Sequence, residues 1–537
     1  MDADATNPQP PGPGPTDAAE ATGPGPEAAP EVDHRQRPSS PAFRAFIAGA
    51  WADRPDAPAA PVGAAGYTGG RRAALSALFP GQRLVVPAGV LQVRSNDTDH
   101  RFRPHSAFAH LTGLGTDREP DAVLVLEPRP DVPDVSGDQG GHGGQGDPGD
   151  GIPDGHDAVL YVRPRAERDS EEFYASSRYG ELWVGPRQTL AEVAAETEIS
   201  TRHLDEVIDA ITKDVGEGVR VVRGADPAVD AAVDEARAAA GLDAEAAAAA
   251  DAELARALSE LRLVKDGYEI GQLRLAVEAT ARGFEDVVRA LPRATVHPRG
   301  ERVVERAFEG RAREEGNGVG YDTIAAAGPH ACTLHWIRND GVVRDGELVL
   351  LDAGVEVDSL YTADVTRTLP VSGRFTDAQR AVYEAVLEAA DAAFAVARPG
   401  TRFRDVNAAA MEVVARRLAT WGLLPGTVEE SLHPDGQFHR RWMIHGTSHH
   451  LGLDVHDCAQ ARREMYLDAE LVPGMVFTIE PGLYFMPGDL RVPEEFRGIG
   501  VRIEDDVLVT DGGCENLSAM LPRTVEGIET WMASLRA

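Results

Sequence analysis

Between His335 and Glu504 the chain places carboxylates and imidazoles where apolar runs break off. Glu347-Leu-Val-Leu-Leu-Asp352-Ala-Gly ends an apolar strand on a carboxylate. Tyr361-Thr-Ala-Asp364-Val-Thr-Arg-Thr follows as a second strand-like run rich in β-branched residues. A hairpin between them can bring Asp352 and Asp364 to one face. His445-Gly-Thr-Ser-His449-His-Leu-Gly-Leu-Asp-Val-His456 comes next, and Val476-Phe-Thr-Ile-Glu480-Pro-Gly-Leu-Tyr484 ends a strand on Glu480. In Ile499-Gly-Val-Arg502-Ile-Glu504-Asp-Asp506, alternation predicts Arg502, Glu504 and Asp506 on one side and Val501 and Ile503 on the other.

Each of these residues alone has an ordinary explanation. A carboxylate at a strand end is usually solvated or caps a turn, and a histidine among Gly and Leu is usually a hydrogen-bonded core residue. As a set they demand more. Four clustered carboxylates without cations would repel by about 4 kcal/mol per close pair, even at an effective dielectric of about 20. Two divalent cations would cancel that charge. Oxygen-rich donors with one imidazole favour Mn²⁺, Co²⁺ or Fe²⁺ over a thiolate zinc site. Two ions about 3.5–4 Å apart can share a hydroxide and polarise a carbonyl.

The elements that must position these groups lie in the second half of the chain. Helical spacing of Ile270, Leu273, Val277, Phe284, Val287, Val288 and Leu291 predicts a helix over 266–291, and similar patterns cover 376–397 and 403–422. Strand patterns fall at 347–371, 475–480 and 499–509, which suggests an α+β domain with helices covering an antiparallel sheet. Upstream, Ala122–Leu126 and Ala158–Val162 read as neighbouring strands, with Val132–His156 between them as a solvated hairpin insertion rich in Gly, Asp and His. His142 and His156 are taken as polar loop residues rather than metal ligands. Residues 227–262, Ala-rich, suit a helix leading out of a first domain. These readings divide the chain into a disordered, Pro- and Ala-rich tail over 1–40, an N-terminal α/β domain over 41–260, and a C-terminal domain over 261–537.

Composition narrows the function. The 537 residues exceed one compact core, and the formal net charge of -34 argues against nucleic acid or an acidic membrane as partner. The scattered Cys332, Cys458 and Cys514 form no CxxC, which favours a reducing, cytoplasmic setting. The start of the sequence lacks the pattern of a signal peptide, and no apolar run is long enough for a membrane span.

The motifs LLDAG, ADVTRTLPVSGRFT, HGTSHHLGLDVHD, TIEPGLY and RGIGVRIEDDVLVT resemble the pita-bread (creatinase/aminopeptidase) metallopeptidases, and within them the aminopeptidase P (Xaa-Pro aminopeptidase) family. The likeness is strong over roughly 260–520 and extends more weakly to HRFRPHSAFAHLTGL and DAVLVL. It implies a pita-bread catalytic domain behind the N-terminal domain, and release of an N-terminal residue from peptides with proline second. It implies two divalent metals, Mn²⁺ foremost, bridged by a hydroxide that attacks the carbonyl before proline. By the same resemblance Asp352 holds one metal, Asp364 and Glu504 bridge both, and His449 and Glu480 complete the other shell. His335 and His445 line the substrate site, His456 stabilises the tetrahedral intermediate, Glu480 shuttles the proton, and Arg502 and Tyr484 orient the carboxylates. A homo-oligomer, dimer or tetramer, follows by resemblance only.

The spacing from Asp352 to Asp364 is one residue longer than the family's usual spacing. Within a paired strand that would turn one Asp away, so the extra residue is expected in a turn or bulge around Val357–Leu360. Prolidase, which cleaves only dipeptides, is the nearest alternative. Methionine aminopeptidase lacks a counterpart to the N-terminal domain. A non-catalytic protein on this fold would be expected to lack part of the ligand set. Ser448 beside His449 raises a serine hydrolase, but there is no GxSxG and strand neighbours point apart; the absence of HExxH excludes a zincin.

Overall fold

The computed structural model of the chain describes residues 38, 40–54, 59–129, 155–216 and 218–536. The expected tail over 1–40 and the insertion over 132–156 lie almost wholly outside the described residues. Contacts divide the chain into two compact units, one formed by residues 1–54 and 166–186, the other by 55–165 and 187–537. In the smaller unit, short helices Pro41–Ala48, Glu171–Ala175 and Glu181–Val184 surround Phe173, against whose ring Trp51 packs edge-on at 5.7 Å.

The larger unit begins with a five-stranded mixed sheet. Its strands are β1 (Arg83–Pro87), β2 (Val123–Pro128), β3 (His156–Val162), β4 (Ser200–His203) and β5 (Val219–Val221), in the order β4-β3-β2-β1-β5. The paired runs at 122–126 and 158–162 are antiparallel neighbours, with Val123 opposite Tyr161. Both faces are covered, because successive side chains alternate: Leu84, Val86, Leu124 and Leu126 enter one core, Val85, Val123 and Val125 the other. A fully buried Leu or Val contributes roughly 1.5–3 kcal/mol, so two such layers hold the sheet without help from its polar strand ends.

Two expectations are corrected here. His156 is not part of a solvated insertion. It opens β3, is buried, and its ring nitrogens lie 2.6 Å from Ser76 Oγ and 2.6 Å from the Gln82 carbonyl. The single helix over 227–262 is two helices, Pro227–Ala239 and Ala244–Leu261. Gly241 at φ 72° ends the first and Asp243 caps the second by accepting from Ala246 N–H at 2.8 Å.

Beyond them run α1 (Gly267–Ala294), opened by an Asp266–Glu269 capping box, and α2 (Gly300–Glu315) packed against it. Strands β6 (Ile324–Ala327), β7 (Leu348–Ala353) and β8 (Val365–Pro370) form an antiparallel sheet ordered β8-β7-β6. Helices α3 (Asp377–Val396) and α4 (Phe403–Thr420) follow. Then come β9 (Val476–Ile479), β10 (Gly482–Tyr484), β11 (Gly500–Arg502), β12 (Asp505–Thr510) and β13 (Gly513–Asn516), with β9-β12-β13 in one sheet and β10-β11 in another. One continuous core runs from Phe284 and Phe308 through β7 and α3 to Phe477 and Met532. Strands β7 and β11 each carry a side chain, Asp352 and Arg502, to a common pocket.

Candidate metal centre

The hairpin from β7 to β8 delivers the first two carboxylates. Asp352 lies opposite Thr366, and the same register continues to a bridge between Glu356 and Thr362. No bulge interrupts it, so the extra residue lies in the connection 357–361, where Leu360 adopts φ 73° and its N–H donates to the Val357 carbonyl at 2.8 Å. Opposite residues share a face, and so do residues two apart. Asp352, Thr366 and Asp364 therefore point the same way.

His449 and Glu480 come from a second ladder. Thr478 N–H donates to the His449 carbonyl at 2.9 Å and Glu480 N–H to the Thr447 carbonyl at 2.8 Å, which sets His449 and Glu480 diagonally across an antiparallel pair. His449 Nε2 is 3.6 Å from Glu480 Oε1 and 3.3 Å from Asp364 Oδ2. Glu504 sits in the break between β11 and β12, held by its N–H to the Thr366 carbonyl at 3.1 Å. The expected alternation holds for Arg502 and Glu504, which line the pocket, and for Val501 and Ile503, which enter the core; it fails at Asp506. Strands β11 and β12 belong to different sheets, and Asp506 stands behind the pocket, accepting from Asp364 N–H at 3.1 Å.

All five residues line a pocket of about 560 Å³, together with His335, His445, His456 and Arg502. Donor atoms of Asp364, His449 and Glu504 lie within 4.8 Å of one another. Burial, reinforced by Asp364 and Glu480, holds the Glu504 carboxyl well above the usual range. Burial likewise raises Asp352, and it carries Glu480 up to about 7 against the opposing charges of His449 and Arg502. For His449 burial pulls down, but the Asp364 hydrogen bond and the Glu480 charge outweigh it and lift the imidazole to about 9. A site that takes up protons to relieve crowded carboxylates is one that divalent cations suit, and four oxygen donors with one imidazole match hard or borderline ions.

Around the donors stands a frame that orients them. Arg502, buried, reaches Asp352 Oδ2 with Nη2, Tyr484 Oη with Nη1 at 3.0 Å and Thr366 Oγ1 with Nε at 3.1 Å. Thr366 Oγ1 donates to Glu504 Oε2 at 2.7 Å. Tyr484 Oη meets His445 Nε2 at 2.7 Å, and burial depresses His445 to about 3, so its ring is neutral. His456 packs edge-on to His449 with ring centroids 4.4 Å apart, and burial lowers it too. His335 is exposed at the mouth.

Sequence reasoning missed Tyr321, whose hydroxyl lies 2.7 Å from Asp352 Oδ1 and 2.5 Å from Asp364 Oδ1. A lone Tyr in a turn carries no periodic signal. Thr366 was within reach, since it shares the face of Asp364 by simple alternation. Ser448 also borders the pocket despite the expectation that it point away, but its buried Oγ has no hydrogen-bond partner among the described residues. The serine–histidine bond a hydrolase dyad needs is therefore missing.

Residues 271–511 match the family model for metallopeptidase family M24, and residues 69–221 match the aminopeptidase P N-terminal domain. The chain is 50% identical to Xaa-Pro aminopeptidase 1 of Streptomyces coelicolor, over 90% of this chain and 91% of that one. It is 33% identical to the Xaa-Pro aminopeptidase of Escherichia coli, over 87% of this chain and 97% of that one. The structure of Pseudomonas aeruginosa aminopeptidase PepP superposes with a TM-score of 0.71 at 31% identity, over 88% of this chain and 98% of that one. Aminopeptidase P from E. coli with the inhibitor Pro-Leu gives 0.70 at 30% identity, over 87% and 98%. The fold and pocket thus define an M24-type metallopeptidase. With both domains matched in order, the chain belongs to the aminopeptidase P family.

Proposed function

We propose that the chain is a metallo-aminopeptidase that hydrolyses the bond between an N-terminal residue and a penultimate proline. The observation that carries this is the convergence of Asp352, Asp364, His449, Glu480 and Glu504 on one pocket, whose wall also includes three further histidines and the apolar Ile324, Leu334, Ile337 and Val455. Asp352 would serve one ion, His449 and Glu480 the other, and Asp364 and Glu504 both. Two divalent ions, Mn²⁺ foremost, would supply Lewis-acid polarisation of the scissile carbonyl and a water made acidic enough to attack at neutral pH.

The chain's own groups do the rest. Glu480, at the pocket wall, can take a proton at its carboxylate and return it to the leaving proline nitrogen. His456, kept neutral by burial, can donate an N–H to the oxygen on which charge develops. His335, His445, Leu334, Ile337 and Val455 line the space where the proline ring would sit. Proline has no amide N–H and a fixed φ, so an apolar wall without an acceptor suffices. Peptides longer than dipeptides belong to this substrate class, as the likeness to Xaa-Pro aminopeptidases supports.

Further parts of this reading are a C-terminal catalytic domain from residue 261, an N-terminal domain over 41–260, a homo-oligomer and a cytoplasmic setting. Among the described residues no helix is long and apolar enough to cross a membrane. The test is an assay of the protein reconstituted with Mn²⁺, Co²⁺ or Zn²⁺ on Xaa-Pro, Xaa-Pro-Xaa and Xaa-Ala-Xaa peptides. Release of the first residue only from the proline-second peptides, including the longer one, is expected. Cleavage of the dipeptide alone, or of the alanine peptide equally well, would overturn it.

A further inference from the structure

The loop that carries His335 has no sheet to hold it. From Thr333 to Asp340 the backbone joins no strand, yet Leu334, His335 and Ile337 all line the metal pocket. His335 is exposed and makes no hydrogen bond to another described residue. Its placement must come from elsewhere in the loop.

That hold is Glu301, in the first turn of α2 and 0% exposed. Its Oε1 accepts from Ala327 N–H at 2.8 Å and lies 2.7 Å from His330 Nδ1. Its Oε2 accepts from Trp336 Nε1–H at 2.9 Å and from Gly341 N–H at 2.6 Å. A carboxylate can only accept, so His330 carries its proton on Nδ1. Four donors spread from 327 to 341 thus close on one side chain, two of them backbone groups at the two ends of the loop. Trp336, between His335 and Ile337, is pinned by its indole, and its ring is stacked on His330 at 3.8 Å. Gly341 lets the backbone come this close: a Cβ there would stand 2.6 Å from His330 and 2.8 Å from Glu301 Oε2. The contact is reciprocal, because Glu301 N–H donates to the Gly341 carbonyl at 3.1 Å.

We propose that Glu301 is a positioning residue that sets the loop 327–341 and, through Trp336, the orientation of His335 toward the substrate. It touches neither the metal donors nor the pocket. The inference rests on reading His335 as a substrate-binding group. A displacement of about 1 Å in such a group can reduce kcat/KM by up to roughly a hundredfold.

The test is a double-mutant cycle on the metal-loaded enzyme with an Xaa-Pro-Xaa peptide, using E301Q, H335A and E301Q/H335A, with W336F as a milder variant. E301Q is expected to raise KM roughly tenfold with a smaller change in kcat and unaltered metal content. In the H335A background the same change should move kcat/KM by no more than about twofold. W336F, which removes one donor and leaves α2 intact, should act in the same direction and lose its effect in H335A. A full E301Q loss repeated in the H335A background, or normal KM in a folded E301Q, would overturn the inference alone. Should E301Q fail to fold, a wild-type KM in W336F overturns it. A wild-type KM in H335A would remove the reading of His335 and the inference with it.

Discussion

Replacing Glu480 by glutamine should stabilise the metal-free protein while weakening its response to metal. Burial raises Glu480 from 4.5 to about 7, against the pull of His449 and Arg502. An acid raised in the fold keeps a proton that the unfolded chain releases above pH 4.5. Stability therefore falls as pH rises from 4.5 through 7. At about 1.4 kcal/mol per tenfold in proton affinity, the loss is on the order of 3 kcal/mol above pH 7. Glutamine has the shape of the protonated acid and no proton to lose. Chelator-treated E480Q should melt higher than wild type by roughly 5 °C at pH 8, with the gain shrinking below about 1 kcal/mol at pH 5. Added Mn²⁺ should raise the wild-type Tm more than that of E480Q. Thermal denaturation at both pH values, with and without metal, measures this. A metal-free E480Q less stable than wild type at pH 8, or a gain independent of pH, would refute the reasoning.

Three other perturbations address the frame. Tyr321→Phe removes the hydroxyl shared by Asp352 and Asp364 and should lower metal affinity about 10–100-fold with the fold intact, measured by metal titration. Arg367→Met leaves the buried Asp505 with only Arg523 at 3.5 Å and the Ser518 hydroxyl as partners, and deprives the Glu504 carbonyl of its donor; a loss of about 1.5–3 kcal/mol in urea denaturation is expected. Two hydrogen bonds from Arg441 hold Asp489 down to about 2 from 3.8. Its contribution is present above pH 3.8 and lost as pH falls toward 2. With Arg441 half-exposed, D489N should cost about 1 kcal/mol at pH 7, the difference from wild type closing below pH 4.

Much of this site could be read in advance because strands constrain side-chain direction so strictly. The hairpin reading of Asp352 and Asp364 needed only alternation and a place for one surplus residue, and the unbroken register puts that residue in the connection before Tyr361. Alternation misled where a strand changes sheets. Glu504 falls in such a break, and Asp506 serves the backbone of Asp364 instead of the pocket. The helix over 227–262 was overextended because summed propensity in an Ala-rich run outweighs one Gly. Tyr321 and Glu301 stayed hidden because each acts through tertiary hydrogen bonds to groups 31 or more and 26 or more residues away, for which no local period exists. His156 was masked by the composition of its neighbours, although its burial on β3 makes it a core residue.

The central claim is that five side chains on separate strands and connections hold two divalent ions in one pocket. Anomalous diffraction from crystals grown with Mn²⁺ tests it most directly. The expected result is two peaks per chain, both bonded to Asp364 and Glu504, one also to Asp352 and the other to His449 and Glu480. A single peak, or manganese bound away from these residues in a catalytically active crystal, would contradict it.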